Sequence, residues 1–74
     1  MGYAVFPLRT RNGGRVMVNT AQVVALKEDQ PADGTGQASI QLAGGQIWFL
    51  SEDATTVYTR LAAAATASSP VFPP

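Results

Sequence analysis

Residues 37–50 read QASIQLAGGQIWFL and contain the clearest structural signal in the chain. The first six alternate between polar and apolar, which is the period of a β-strand with one buried face. The double glycine at residues 44–45 predicts a tight turn, because glycine tolerates backbone angles that other residues avoid. Residues 46–50 follow as a strand that is apolar on both sides, and we expect both of its faces to be buried. The stretch therefore predicts a β-hairpin.

Three further strands are predicted before this hairpin, at residues 3–9, 15–19 and 23–28. Pro7 favours an edge or bulged position for the first of them, since proline lacks the amide proton that a central strand donates. The run Asn-Gly-Gly at residues 12–14 is a strong hairpin signal. Polar turn formers also predict a turn at residues 19–22 and a longer loop at residues 29–36.

A single helix is predicted after the last strand. Ser51 is placed to cap it, and Glu52 and Asp53 fall in its first turn, where the helix dipole favours negative charge. We expect the helix to fade near residues 65–68. Its apolar stripe is predicted to contain Ala54, Val57, Tyr58, Leu61 and Ala65. Its solvent face is predicted to contain Thr55, Thr56, Thr59 and Arg60.

The predicted fold is mainly β, with about five short antiparallel strands in a bent sheet or small barrel and one C-terminal α-helix packed across it. Residues 1–67 form one small domain, and residues 68–74 form an extended, proline-rich tail. The core is predicted to contain Val5, Val16, Val18, Val24, Leu26, Ile40, Leu42, Ile47, Phe49, Val57, Leu61 and Tyr58.

The order of these elements carries a resemblance that covers about residues 5–62. The matching segments are Leu8-Arg9-Thr10-Arg11-Asn12-Gly13, Val16-Met17-Val18-Asn19, Val23-Val24, Ile40-Gln41-Leu42 with Gly44-Gly45, and Phe49-Leu50-Ser51-Glu52. In this succession the chain resembles the small flagellar and swarming-motility proteins of the FlbD/SwrD-like family, and similar short phage proteins. The resemblance implies the same run of strands with a closing helix, and a bacterial or phage setting.

Size and composition favour association with other protein subunits. A chain of 74 residues buries only about 60% of its unfolded surface, and such domains usually rely on disulfides, a metal or oligomerisation. Cys and His are both absent, which removes disulfides and the commonest zinc ligands. Only 14% of the residues are charged, against about 25% in typical domains, so apolar surface remains to be covered. We therefore expect a homo-oligomer or a subunit of a larger assembly.

The same composition argues against several other functions. Five basic and five acidic residues cancel, whereas general nucleic-acid binders rely on excess positive charge. The acidic pairs at residues 28–29 and 52–53 are sequence neighbours that point apart, so neither predicts a catalytic dyad. We expect no enzymatic activity, no cofactor and no metal. No apolar run approaches the roughly 20 residues that span a bilayer, and we expect no membrane insertion and a cytoplasmic location, or a virion if the gene is a phage's.

Two apolar features are candidates for partner binding. The neighbours Trp48 and Phe49 point to opposite faces of one strand, and we expect Trp48 to face outward as an interface anchor. In the tail, Val71 and Phe72 lie between prolines, lose little entropy on ordering and could insert into a groove on a neighbouring subunit.

A basic cluster is the third candidate. The predicted hairpin brings together Arg9, Arg11 and Arg15. These side chains could contact acidic residues of a partner subunit, or could protect a strand edge from aggregation.

The predicted function is a non-enzymatic protein–protein interaction or assembly module, acting as an oligomer or on a larger bacterial or phage structure. An alternative is a small-ligand-binding or inhibitor protein of the counter-defence type, for which a polar pocket lined by Arg9, Arg11 or Arg15 at a subunit boundary would be the sign. Nucleic-acid binding ranks third.

Overall fold

Within the described residues, 2–10, 12–29 and 36–73, the chain of the computed structural model forms five strands, one 3₁₀ helix and one α-helix. The strands are β1 (Tyr3–Pro7), β2 (Arg15–Asn19), β3 (Val23–Asp29), β4 (Gln37–Leu42) and β5 (Ile47–Phe49). The helices are a 3₁₀ helix (Thr20–Gln22) and α1 (Ala54–Thr66). The mainly β class with a C-terminal helix is confirmed. Most of the predicted loop at residues 29–36 lies outside the described residues, as does Arg11.

The strands form two antiparallel sheets. β1 pairs with β2, so that Tyr3 lies opposite Asn19 and Pro7 opposite Arg15. β4 is the central strand of the second sheet, between β3 and β5. There, Ile40 has a partner on each side. The two sheets do not close into a barrel, so that part of the prediction is wrong.

The separation begins at the end of β2. The side chain of Asn19 accepts a hydrogen bond from the backbone N–H of Ala21 (3.0 Å) and starts the 3₁₀ helix, which turns the chain away before β3 can pair with β2. The sheets meet instead at the far end of β1. Leu8 forms an antiparallel bridge with Leu50, and the backbone N–H of Arg9 donates to the carbonyl of Phe49 (2.9 Å).

Both predicted glycine turns are present. Gly13 has φ +66° in the β1–β2 connection, which is closed by a hydrogen bond from the Leu8 N–H to the Gly14 carbonyl (2.7 Å). Gly45 has φ +90° between β4 and β5, where Leu42 and Gln46 close the turn. These angles are costly for residues with a Cβ atom, so the two glycines fix the hairpin positions.

The core differs in part from the prediction. The fully buried hydrophobic residues are Ala4, Val5, Phe6, Val18, Ala38, Ile40, Leu50, Val57 and Ala64. Of the predicted set, Val16, Leu26, Leu42 and Leu61 are half-buried against this cluster. Four predicted core residues are exposed instead: Val24, Ile47, Phe49 and Tyr58. The prediction buried only the Val5 face of β1 and therefore missed Ala4 and Phe6, which point to the opposite face. In the structure both faces of β1 are covered, and the main core lies on the face of Ala4 and Phe6.

The side of α1 that faces the core differs from the predicted one, because it includes the charged residue Arg60. The buried positions of α1 are Val57, Arg60 and Ala64, so the prediction that Arg60 faces solvent is wrong. The two guanidinium ends of Arg60 donate to the two carboxylate oxygens of Glu52, which lies just before the helix, and one end also donates to the Val5 carbonyl (3.3 Å). The guanidinium lies 5.1 Å from the centre of the Phe6 ring. Arg60 thereby ties α1 to β1.

The cap of α1 is Asp53 and not Ser51. The Asp53 carboxylate accepts a hydrogen bond from the Thr56 N–H (2.9 Å). Interaction with the Thr56 side chain, followed by this backbone bond, lowers the pKa of Asp53 from its ordinary value of 3.8. Ser51 contacts only the carbonyl of Pro7, at 3.4 Å. The helix ends at Thr66, within the predicted range.

Replacing the cap is expected to destabilise the fold in a pH-dependent way. Asp53→Ala removes the acceptor of the Thr56 N–H and lowers the free energy of unfolding at pH 7. Because the folded-state pKa is lowered, the stabilisation is complete above about pH 4 and is lost as the pH falls through the folded value. The difference between Asp53→Ala and the parent should therefore shrink below pH 4 in urea titrations. Ser51→Ala is the matched control, and an equal loss in both variants would place the cap elsewhere.

No helix in the described part of the chain is long and apolar enough to cross a membrane.

Candidate protein-interaction site

An open apolar groove runs between the outer edge of β3 and one side of α1. Its volume is about 630 Å³. The groove is lined by Thr20, Ala21, Val23, Val24, Ala25, Leu26, Tyr58, Leu61, Ala62 and Ala65. None of these residues is charged, so the groove is suited to an apolar protein surface. We call it the β3–α1 groove.

One wall of the groove is a strand edge with free hydrogen-bonding groups. β3 is the terminal strand of its sheet among the described residues. On β4, the Ala38 N–H donates to Glu52 and the Ala38 carbonyl accepts from Leu50, both at 2.8 Å and both away from β3. Since the hydrogen-bonded pairs of an antiparallel ladder alternate, Leu26 and Glu28 direct their backbone groups to the outer edge. Such an edge can accept another strand.

The edge is also irregular and apolar at its beginning. The register with β4 shifts between Val23 and Ala25, and the side chain of Val24 is 61% exposed. An irregular register bends a strand and increases its twist. The apolar side chain of Val24 is therefore directed to the groove instead of the core.

The other wall of the groove is α1, which has apolar residues on a second side in addition to the side that packs against the core. Successive residues of an α-helix are rotated by about 100° around its axis, so Val57 and Ala64 point in nearly the same direction, toward the core. On the same count, Tyr58, Ala62 and Ala65 share a neighbouring side of the helix. Tyr58 is 66% exposed and Leu61 is half-buried at the boundary between core and groove. The predicted apolar stripe is therefore only partly a core stripe: Val57 is in the core, whereas Tyr58 and Ala65 line the groove.

A second apolar patch lies on the outer face of the three-stranded sheet, where Ile47 and Phe49 are 49% and 54% exposed. The guanidinium of Arg9 lies 5.6 Å from the centre of the Phe49 ring. Trp48 takes the opposite direction and is half-buried against the core. The prediction that Trp48 faces outward is therefore wrong, and the exposed aromatic residue of β5 is Phe49. α1 covers only the inner face, which Trp48 shares with its ladder partner Ile40.

The predicted basic cluster is not formed by its two described members. Arg9 crosses to the three-stranded sheet, where it donates to the carbonyls of Leu50 (3.0 Å) and Ala38 (3.1 Å) and pairs with Asp29 (3.5 Å). Arg15 is exposed on β2, opposite Pro7. Arg9 is thus a structural residue at the junction of the two sheets, and Arg15 lies apart from it.

The predicted tail residues dock on the chain itself. Val71 forms a parallel bridge with Ala4 of β1 and packs against the core. Phe72 is 53% exposed. The sequence predicted insertion of these residues into a groove on a neighbouring subunit; in this structure the segment is held by the edge of β1 in the same chain.

Several charged side chains of the described residues are engaged in structural contacts. Lys27 and Arg9 both pair with Asp29, at 3.4 Å and 3.5 Å, and Glu28 accepts a hydrogen bond from the first N–H of α1 (3.1 Å). Within residues 2–10, 12–29 and 36–73, no three acidic side chains lie close enough together to bind a metal ion.

Sequence reasoning missed the β3–α1 groove, although two signals pointed to it. Val23-Val24-Ala25-Leu26 is a run of four apolar residues, longer than a strand with one buried face needs. Residues 61–65 read LAAAA, which leaves the helix apolar on more than one side. From these runs the prediction placed Val24, Leu26 and Leu61 in the core, because the sequence alone does not show which surfaces the fold leaves uncovered.

Comparison with protein-family models, with curated proteins and with solved structures finds no match to this chain.

Proposed function

We propose that this protein is a non-enzymatic assembly module that associates with a second copy of itself through the β3–α1 groove. The observation that supports the proposal is the combination of an unpaired strand edge and an uncharged helix side along one groove. An edge strand offers main-chain hydrogen bonds, and the apolar groove beside it offers burial. A monomer leaves both unused.

A second copy fits this surface for two reasons. The chain has no net charge, so two copies meet without long-range repulsion. A two-fold axis pairs both free edges at once, which closes the assembly as a dimer instead of a growing sheet.

An interface of standard size would use a modest share of the surface of this chain. A stable interface buries about 800 Å² on each partner. The accessible surface of this chain is 4657 Å², so such an interface would cover roughly a sixth of it. The groove and the adjoining β3 edge form a continuous strip along one side of the molecule.

The test uses one substitution at two neighbouring helix positions. Ala62 lines the groove and Ala63 does not, yet both side chains are exposed on α1. Ala62→Glu places a charge in the groove and is expected to raise the dimer dissociation constant at least tenfold, which is about 1.4 kcal/mol. Ala63→Glu makes the same chemical change outside the groove and should leave the constant within about twofold, because it buries no charge.

Sedimentation equilibrium over a range of protein concentrations measures the constants, and thermal unfolding checks that both variants are folded. The parent is expected to exceed its monomer mass of 7.7 kDa as concentration rises. A parent that stays at that mass up to millimolar concentration contradicts the proposal, as does an equal effect of the two variants.

A further inference from the structure

The β1 edge already holds a short strand, and that strand is the tail of the same chain. The Val5 N–H donates to the Val71 carbonyl (2.9 Å), and the Val71 N–H donates to the Tyr3 carbonyl (3.0 Å). The pairing is parallel and centred on Ala4. β1 is therefore flanked by β2 on one side and by the tail on the other.

The side chains next to this bridge use both faces of β1. Val71 packs against the core on the face of Ala4. Phe72 lies on the opposite face and shares a shallow pocket of about 310 Å³ with Val5 and Met17. Val5 is only 3% exposed, although it lies outside the main core cluster. The β1 edge thus recognises a strand with one apolar residue on each face.

The tail is held by few contacts. A single bridge and two backbone hydrogen bonds attach it to β1. Only residues 67–70 connect the end of α1 to Val71. Prolines at positions 70 and 73 keep the segment extended, so little entropy is lost when it docks again. A segment with these properties can leave one β1 edge and occupy another.

We propose that the β1 edge is a strand-binding site for the tail of a second copy, and that two chains exchange residues 70–73. The occupant is identified by the bound segment itself, because a second copy carries the same residues in the same order. The exchanged tail repeats every contact made within one chain, so the balance between the two forms depends mainly on concentration and on the short connection. This contact is separate from the β3–α1 groove and goes beyond it.

Cysteine trapping tests the exchange on the 74-residue chain, which has no native cysteine. Val5 and Phe72 are next to the bridged pair on one face, so Val5→Cys and Phe72→Cys place two thiols side by side. In the double variant a disulfide closes within one chain or between exchanged chains. When the two single variants are mixed, the mixed disulfide forms only if a tail has moved to the other copy.

The expected result is a mixed disulfide of twice the chain mass whose yield rises with protein concentration. The control mixes Phe72→Cys with Val24→Cys, an exposed position at the groove, and its yield should be at least fivefold lower. Repeating the experiment with Ala62→Glu in every chain separates the two contacts, because this change weakens groove association and should leave the tail exchange unchanged.

Two outcomes would overturn the exchange. The first is a double variant that closes within single chains while the mixed pair stays at the level of the Val24→Cys control. The second is a mixed disulfide that disappears in the Ala62→Glu background, since the cross-link would then follow groove association alone.

Discussion

Arg60→Ala is expected to lower the free energy of unfolding by about 3–5 kcal/mol, the largest effect of any single substitution considered for this chain. Arg60 is 6% exposed, and its guanidinium neutralises Glu52 through two hydrogen bonds. Removing it leaves the carboxylate partly buried without its counterion, and leaves the Val5 carbonyl without its donor. The stacking contact with Phe6 is lost as well.

Urea denaturation measures the effect, and two comparisons identify its cause. Arg15→Ala removes an exposed arginine and should change stability by less than about 0.5 kcal/mol. The double variant Arg60→Met with Glu52→Leu removes both charges and should be more stable than Arg60→Ala, because no unpaired charge is left in the fold. If Arg60→Ala were as mild as Arg15→Ala, the ion pair would not hold α1 to β1.

Arg60 also shows why the sequence predicts the helix better than its orientation. The periodicity of the helix identified its approximate length, and its end at Thr66 falls within the predicted range. The sequence pattern assigns charged residues to solvent, and that rule fails when a buried partner is present. The partner, Glu52, precedes the helix and was assigned to the dipole of its first turn, since sequence spacing gave no sign of a pair across eight positions.

The strands with the clearest local signals were predicted best. β2 and β4 have the predicted bounds, because an Asn-Gly turn precedes one and strict alternation marks the other. Local chemistry determines where such strands begin and end. It does not determine how sheets meet, so the prediction left a bent sheet and a small barrel open: the Leu8–Leu50 bridge, which joins the two sheets, is a tertiary contact.

The exposed apolar surfaces were predicted least well, for a related reason. Residues 46–50 are apolar on both faces, and the prediction took this to mean burial on both. In the fold, the helix covers one face only, so Trp48 packs inward while Phe49 stays exposed. When a sequence has more apolar residues than its own elements can bury, some of them form an exposed apolar patch, and such patches often mark binding surfaces. The sequence shows the excess, but it does not show which residues are left uncovered.

The second large loss of stability is expected from a substitution at Gly2, where the structure leaves no room for a side chain. A Cβ atom at Gly2 would lie 1.5 Å from the carbonyl oxygen of Ala64 in α1. Gly2 is buried, and its own carbonyl accepts a hydrogen bond from the Thr20 N–H (2.9 Å). Gly2→Ala must therefore move the helix or displace the segment from the 3₁₀ helix. We expect a loss of about 1–3 kcal/mol, the range for overpacked sites.

Two controls distinguish this steric effect from a general intolerance of alanine. Gly44→Ala adds the same methyl group in a turn where nothing lies within 4 Å, and it should be close to neutral. Ala64→Gly in the Gly2→Ala background should not restore stability, because the clash is with a backbone oxygen that no side-chain change removes. Equal unfolding curves for Gly2→Ala and Gly44→Ala would contradict the close approach of the N-terminal segment to α1. A helix held this closely at Gly2, and again through Arg60, keeps its remaining apolar side fixed beside β3, which is the geometry that the proposed dimer requires.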